Sequence, residues 1–255
     1  MKPTLLNRLL IFLTPWTALV LLWYAVAYSG LVNPALVPSP HMVVWRAWSL
    51  LHEGRLAVDI WMSTQRVFIG VACGITLAVP VGFVLGWYRG AQQYIDPLIN
   101  FFRALPPIAL IPLVIVYFGI GEPAKVIILL YASFFAGVIV MYEGIAQISP
   151  IYVRVARTLG ATDAEIFRKV ILPLSLPHTL TALRVALGVA WATLVASELI
   201  AAQRGLGALI QNASSFFQLD IIYVGIVCIG FIALSMDLML RAISRRFVDG
   251  QDRIS

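Results

Sequence analysis

The segment Val67–Trp87 runs for 21 residues without a charged side chain. Leu9–Tyr28 and Val126–Met141 share that character, and Ile221–Leu240 carries only Asp237. At 1.5 Å of rise per residue, about 20 apolar residues cross the roughly 30 Å hydrocarbon layer of a bilayer. Repetition of such runs in a chain of 255 residues leaves little sequence for anything else. Charge is scarce to match: 12% of residues are charged and 61% hydrophobic, against about 25% charged in an average soluble domain. A soluble fold of this size cannot hide so much apolar surface. In lipid the backbone must satisfy its own hydrogen bonds, and the long unbroken runs select helices over a closed barrel. The chain is therefore expected to be an all-α integral membrane protein.

Six spans are expected: Leu9–Tyr28, Val67–Trp87, Ala104–Phe118, Val126–Met141, Leu180–Ala202 and Ile221–Leu240. The first has a basic start and the small residues Ala25 and Ala27, as a signal peptide would, but its length favours a retained span. After Pro34, Pro38 and Pro40, the stretch His41–Leu51 reads as amphipathic. Val44, Trp48 and Leu51 lie opposite Arg46, which suits either an interfacial helix or a plain connector. In the second span, Gly70-x-x-x-Gly74 and Gly82-x-x-x-Gly86 let another helix approach closely. Pro106, Pro107 and Pro112 must kink the third span, which makes it either a pathway-lining helix or a kinked packing helix. The division expected is 1–62 for the first span and interfacial segment, 63–245 for the core, and 246–255 for a tail.

With both termini inside, thirteen of the 18 Lys and Arg residues fall on the cytoplasmic side, Arg103 among them. This satisfies the positive-inside rule. It also accounts for the net charge of +6 without nucleic acid as a partner. Cys73 and Cys228 sit in apolar runs, and His41, His52 and His178 form no metal-ligand pattern, so no metal site is expected. No Gly-x4-Gly-Lys-Ser/Thr motif occurs. Glu198 and Asp237 are placed near opposite faces and cannot form one acid–base pair, which argues against an intramembrane enzyme. Polar groups in spans are site candidates by default. Here these are Thr193, Ser197 and Glu198, with Gln211 and Asn212 just beyond. Glu198 is expected to line an outer gate, to pair with Arg204 or to sit in the interface. Asp237 and Arg241, four apart, suggest a local ion pair, and Arg184 can snorkel.

The longest polar stretch of the second half, 143–178, faces the cytoplasm in this topology. Ile151–Leu159 reads as a short helix ended by Gly160. Thr162 and Glu165 form a capping box that opens a second short helix at Asp163. Ile166, Phe167, Val170 and Ile171 share one face of it, and Glu165 and Lys169 form an i,i+4 pair. Leu172–Pro173 is expected to end it. The element is either packed on its own bundle or a docking knob for a soluble partner.

The run Arg154-Val-Ala-Arg-Thr-Leu-Gly160, nine residues, then Val170-Ile-Leu172-Pro173 resembles the EAA loop of bacterial ABC importer permeases. Gly160, Leu172 and Pro173 match in register; of the EAA triplet only Ala156 matches, and its glutamate is absent. Arg103-Ala-Leu-Pro-Pro-Ile-Ala-Leu-Ile-Pro, Tyr117-Phe-Gly-Ile-Gly-Glu122 and Glu198-Leu-Ile-Ala-Ala-Gln-Arg-Gly-Leu-Gly207 resemble the branch that imports taurine, aliphatic sulfonates and nitrate. The resemblance covers nearly the whole chain and implies a type I importer (MetI-like) permease fold in the bacterial inner membrane. It implies a non-catalytic subunit that pairs with a second permease copy, two ATPase subunits carrying ATP and Mg, and a periplasmic binding protein, with no cofactor in this chain. Docking then falls to Ala156, Gly160, Ala161, Thr162, Asp163, Glu165, Ile166, Phe167, Val170, Leu172 and Pro173. Pro106, Pro107, Thr193, Ser197, Glu198, Gln211 and Asn212 are the pathway candidates. The solute is expected to be taurine or another aliphatic sulfonate, with nitrate, bicarbonate or another small organic anion as alternatives. A secondary transporter would leave the loop unexplained.

Overall fold

A computed structural model describes residues 5–30, 32–33 and 36–248. Lys2, Pro34, Arg253 and the tail from residue 249 lie outside the described residues. Among the described residues, all regular structure is helical. In chain order the helices are α1 (Leu5–Tyr28), α2 (Pro40–His52), α3 (Arg55–Trp87), α4 (Arg89–Ala104), α5 (Pro107–Phe118) and α6 (Glu122–Ala146). There follow α7 (Pro150–Thr158), α8 (Asp163–Ile166), a π-helical turn (Phe167–Ile171), α9 (Leu172–Ala201), α10 (Leu206–Ser215) and α11 (Leu219–Val248).

The expected six spans need correction. Four helical stretches among the described residues are long and apolar enough to cross a membrane: α3, α6, the continuous run Asp163–Ile200, and Leu219–Arg245 of α11. The third expected crossing, Ala104–Phe118, holds only α5; it is long enough to cross only together with the preceding α4, from which it is bent by 90° at the break. Leu105 and Pro106 are extended there because Pro106 and Pro107 remove donors and disfavour helix in the residue before them. α1 covers the first expected span with a helix of 24 residues, Leu5–Tyr28. The expected boundary at 62/63 falls inside α3, which begins at Arg55. Likewise α11 continues past 245 to Val248, beyond the expected start of the tail.

The α3–α6 pair organises the bundle. A Cβ placed on Gly70, Gly74, Gly82 or Gly86 would lie 2.4–2.7 Å from the Cβ of Leu129, Ser133, Met141 or Ile145, respectively. The two sequences advance in step, so the helices run in the same direction with backbones in close contact. Both start at one end, with Arg66 near Glu122, and finish at the other, with Phe83, Met141 and Ile145 in one buried cluster. Between them Val67, Val71 and Leu129 pack on Ala186, Ala190 and Leu194 of α9. Beside the first end, α2 and α10 rest on α11 through Val43, Leu50, Leu206, Leu209 and Val224. The exposed side of α2 carries Val44, Trp48 and Leu51, the face expected for an interfacial helix. In the orientation expected from the positive-inside rule, the Arg66 end is the outer one.

Candidate functional site

At the inner end, Ser149 opens α7 by accepting from the Ile151 amide, and Gly160 closes it with φ of +81°. That left-handed conformation suits glycine at C′. The Gly160 amide donates to the Arg157 carbonyl, and the Ala161 amide to that of Ala156. The next helix begins with a complete capping box. The Glu165 amide donates to Thr162 Oγ1 (3.3 Å), and the Thr162 amide to Glu165 Oε2 (3.1 Å). Arg157 and Asp163 bridge the turn at 3.1 Å, and Lys169 pairs with Glu165 at 2.9 Å. The two short helices therefore meet at a fixed angle set by local bonds.

The apolar face expected on the second helix is divided. Ile166 and Ile171 are fully buried against Phe83, Met141, Ile145 and Ala182, with Ala156, Ala161 and Val170 packed around them. These residues anchor the loop to the bundle, as the self-packed alternative expects, instead of being presented outward. Phe167 sits edge-on to Phe83 with ring centroids 5.3 Å apart, and it and Leu172 remain partly open. Pro173 does not end a helix. The π-turn feeds straight into α9, so Pro173 lies inside one continuous helical run; it has no amide to give to the preceding turn, and that turn is the π-helical one. What is open lies on α7: Ile151, Tyr152, Val155 and Leu159 form an exposed apolar stripe, with Leu159 82% exposed. Sequence reading missed this stripe because only the second short helix was tested for an apolar face. The 151, 155, 159 spacing is the signal that finds it.

At the outer end a charge network, buried at Arg66 and Glu198 and half-exposed at Glu122, joins α3, α6, α9 and the turn before α10. Arg66 donates through Nε and Nη2 to both oxygens of Glu122 (2.6 Å each), and through Nη1 to Glu198 Oε1 (2.5 Å) and the Arg204 carbonyl (2.7 Å). Ser63 donates to both Glu198 oxygens and accepts the Leu206 amide; the Gly207 amide donates to Glu198 Oε2, and the Gly205 amide to Asp59. Glu198 thus pairs with Arg66 and not with the Arg204 guanidinium. Its carboxylate is saturated inside the chain. Gly205, with φ of +127°, lets the backbone reach these acceptors; a Cβ there would lie 2.5 Å from Glu198 Oε1.

The other pathway candidates separate by exposure. Thr193 and Ser197 are buried within the chain, whereas Gln211 and Asn212 are exposed. Asn212 lines two adjoining outer cavities of about 380 and 410 Å³ with Arg55 and Leu209. Pro106 and Pro107 stand at the α4–α5 break. Asp237 pairs with Arg241 as expected (2.7 Å), and also with Arg184, which replaces snorkelling with an interhelical bridge. Among the described residues no group of three metal-ligating side chains comes together.

Comparison with known proteins places this geometry. A family model described as "binding-protein-dependent transport system inner membrane component" matches residues 70–249. A probable ABC transporter permease protein of Brucella abortus is 45% identical over 231 residues, 91% of each chain. The taurine transport system permease protein TauC of Escherichia coli is 37% identical, covering 89% of this chain and 85% of its own. A solved chain of the MetNI methionine ABC transporter superposes with a TM-score of 0.68 at 21% identity, over 77% of this chain and 97% of its own, and shares the fold.

Proposed function

This chain belongs to the family of binding-protein-dependent transport system inner membrane components and is an ABC importer permease, multi-pass in the inner membrane; from that premise we propose that its 150–173 loop is gripped by a separate ATPase subunit and that its cargo is a small sulfonate such as taurine. ATP and Mg belong to that subunit, a soluble receptor delivers the solute on the outer side, and both termini of the chain are cytoplasmic. A second copy of the permease completes the path.

The observation that carries the proposal is the open stripe of α7. Ile151, Val155 and Leu159 stand outward on an element whose opposite side is bolted to the bundle through Ile166 and Ile171. An apolar stripe held rigidly at the aqueous end of a membrane helix bundle fits a partner's groove. Rigid anchoring is what a lever needs: movement of α7 by the ATPase passes through the π-turn into α9. ATP on the partner then biases two states of the permease. Likeness to a taurine permease along most of the chain supports the sulfonate cargo.

The test is the double substitution Ile151→Glu/Leu159→Glu. Both side chains are exposed, so insertion and the melting temperature of the purified permease are expected to hold. Co-purification with the ATPase and ATP-driven taurine uptake in proteoliposomes are expected to fall at least about tenfold, the loss of a central apolar anchor. Normal ATPase association in this variant would remove the docking role from α7.

A further inference from the structure

Helix α4 presents three separate faces. Ile95, Ile99 and Phe102 turn toward α3 and α6. Tyr94, Leu98 and Phe101 form an exposed apolar face. Gln93, Asp96, Asn100 and Arg103 recur every three or four residues on a third, polar side, with Gln92 at its edge. At 100° per residue the polar and exposed apolar faces point in clearly different directions.

This helix does not lie flat on the membrane surface. Gln92 donates to the Tyr142 hydroxyl near the inner end of α6, at 2.5 Å. Ten residues later the Phe102 carbonyl accepts from the Tyr131 hydroxyl, and its ring stacks on Phe135 with centroids 6.1 Å apart. Ten steps forward on α4 therefore match eleven steps back on α6, so α4 climbs antiparallel to it through about 15 Å of depth. Tyr131 lies nine residues from the outer start of α6 and fifteen from its inner end, or about 14 and 22 Å. Arg103, next to Phe102, is near the middle of the bilayer and not at its cytoplasmic surface.

Arg103 is exposed there and makes no hydrogen bond or ion pair among the described residues. A guanidinium at this depth is too far in for its three-carbon stem to carry it to the interface. Such groups face water or a partner, not lipid. Asp96 is the one carboxylate on the stripe, two turns toward the inner end, and its oxygens do not engage Arg103. The break at Leu105–Pro107 caps the stripe at its deepest point. Resting on the permease reading above, we infer that the polar face of α4 lines the inner half of the solute path and that Arg103 is its midplane contact for the anionic group of the solute. A planar guanidinium offers paired donors to sulfonate or carboxylate oxygens, which an ammonium at the same place offers less well.

Two measurements test this. In a Cys73→Ala/Cys228→Ala background, single cysteines at Gln93, Asp96, Asn100 and Arg103 are expected to react with membrane-impermeant 2-sulfonatoethyl methanethiosulfonate applied to inside-out vesicles. Cysteines at Tyr94, Leu98 and Phe101 are expected to stay unlabelled. In proteoliposomes of the full complex with its receptor, Arg103→Gln is expected to raise the half-saturating ethanesulfonate concentration at least about tenfold, and Arg103→Lys to raise it by less than Arg103→Gln does. Labelling on the 94, 98, 101 face in place of the polar one, or unchanged ethanesulfonate saturation in Arg103→Gln, overturns the inference. If the unsubstituted complex takes up neither ethanesulfonate nor taurine, the sulfonate cargo is refuted, and the labelling pattern alone still decides whether α4 lines the path. Should Arg103→Gln fail to assemble, the cysteines at 93, 96 and 100 carry the same decision.

Discussion

Arg66 commits four hydrogen bonds to two carboxylates and one backbone carbonyl, with its side chain 3% exposed. Removing Arg66 leaves the fully buried Glu198 carboxylate without its cation, which costs about 3–5 kcal/mol. Arg66→Ala is therefore expected to lower the thermal midpoint of the detergent-purified permease strongly. Arg46→Ala, which breaks a pair with Asp220 whose partners are about one-third exposed, should cost no more than about 1 kcal/mol. Equal shifts for the two substitutions, read by the same melting assay, would mean that the outer network does not hold the fold. The pairing of Glu198 was half legible. An acidic residue near the end of a span advertises a need for a partner, but Arg66 lies 132 positions away in sequence, and spacing cannot choose it over nearby Arg204. Only the parallel register of α3 and α6 and the return of α9 bring Ser63, Arg66, Glu122 and Glu198 together.

Among the elements, the glycine ladder of α3 was open to reading from sequence, since small residues four apart serve only close approach in lipid. Gly82→Ala would place a Cβ 2.4 Å from that of Met141, whereas a Cβ on Gly230 of α11 meets nothing within 4 Å. Overpacking costs about 1–3 kcal/mol, while Gly→Ala in an open helix gains up to about 1 kcal/mol. Opposite signs are thus expected for the same substitution at 82 and 230 in thermal unfolding of the permease; equal signs would show that α3 and α6 are not in backbone contact. The capping box and Gly160 were legible because their signals are local. Helix α4 was not: a search for apolar runs passes over a crossing whose polar face is functional, and the 90° break at Leu105–Pro107 divides the third crossing into two helices too short to qualify alone. The π-turn is likewise invisible to spacing, and Pro173 misleads, since the helix runs on through it directly after the π-turn.

At the scale of the whole molecule the chain is a device with two anchored ends. The outer end is locked by Arg66 and Glu198 across three helices and a turn. Its inner end carries α7 outward while Ile166 and Ile171 hold the loop to α3, α6 and α9. All depends on that loop standing on the cytoplasmic side, within reach of an ATP-driven partner. The most direct measurement is side-specific labelling of a cysteine at Leu159, again with Cys73 and Cys228 replaced by alanine. An impermeant maleimide should modify it in inside-out vesicles, fail to do so in intact spheroplasts, and be blocked when the ATPase is bound. Modification in spheroplasts but not in inside-out vesicles would put the loop on the wrong side of the membrane and contradict the account.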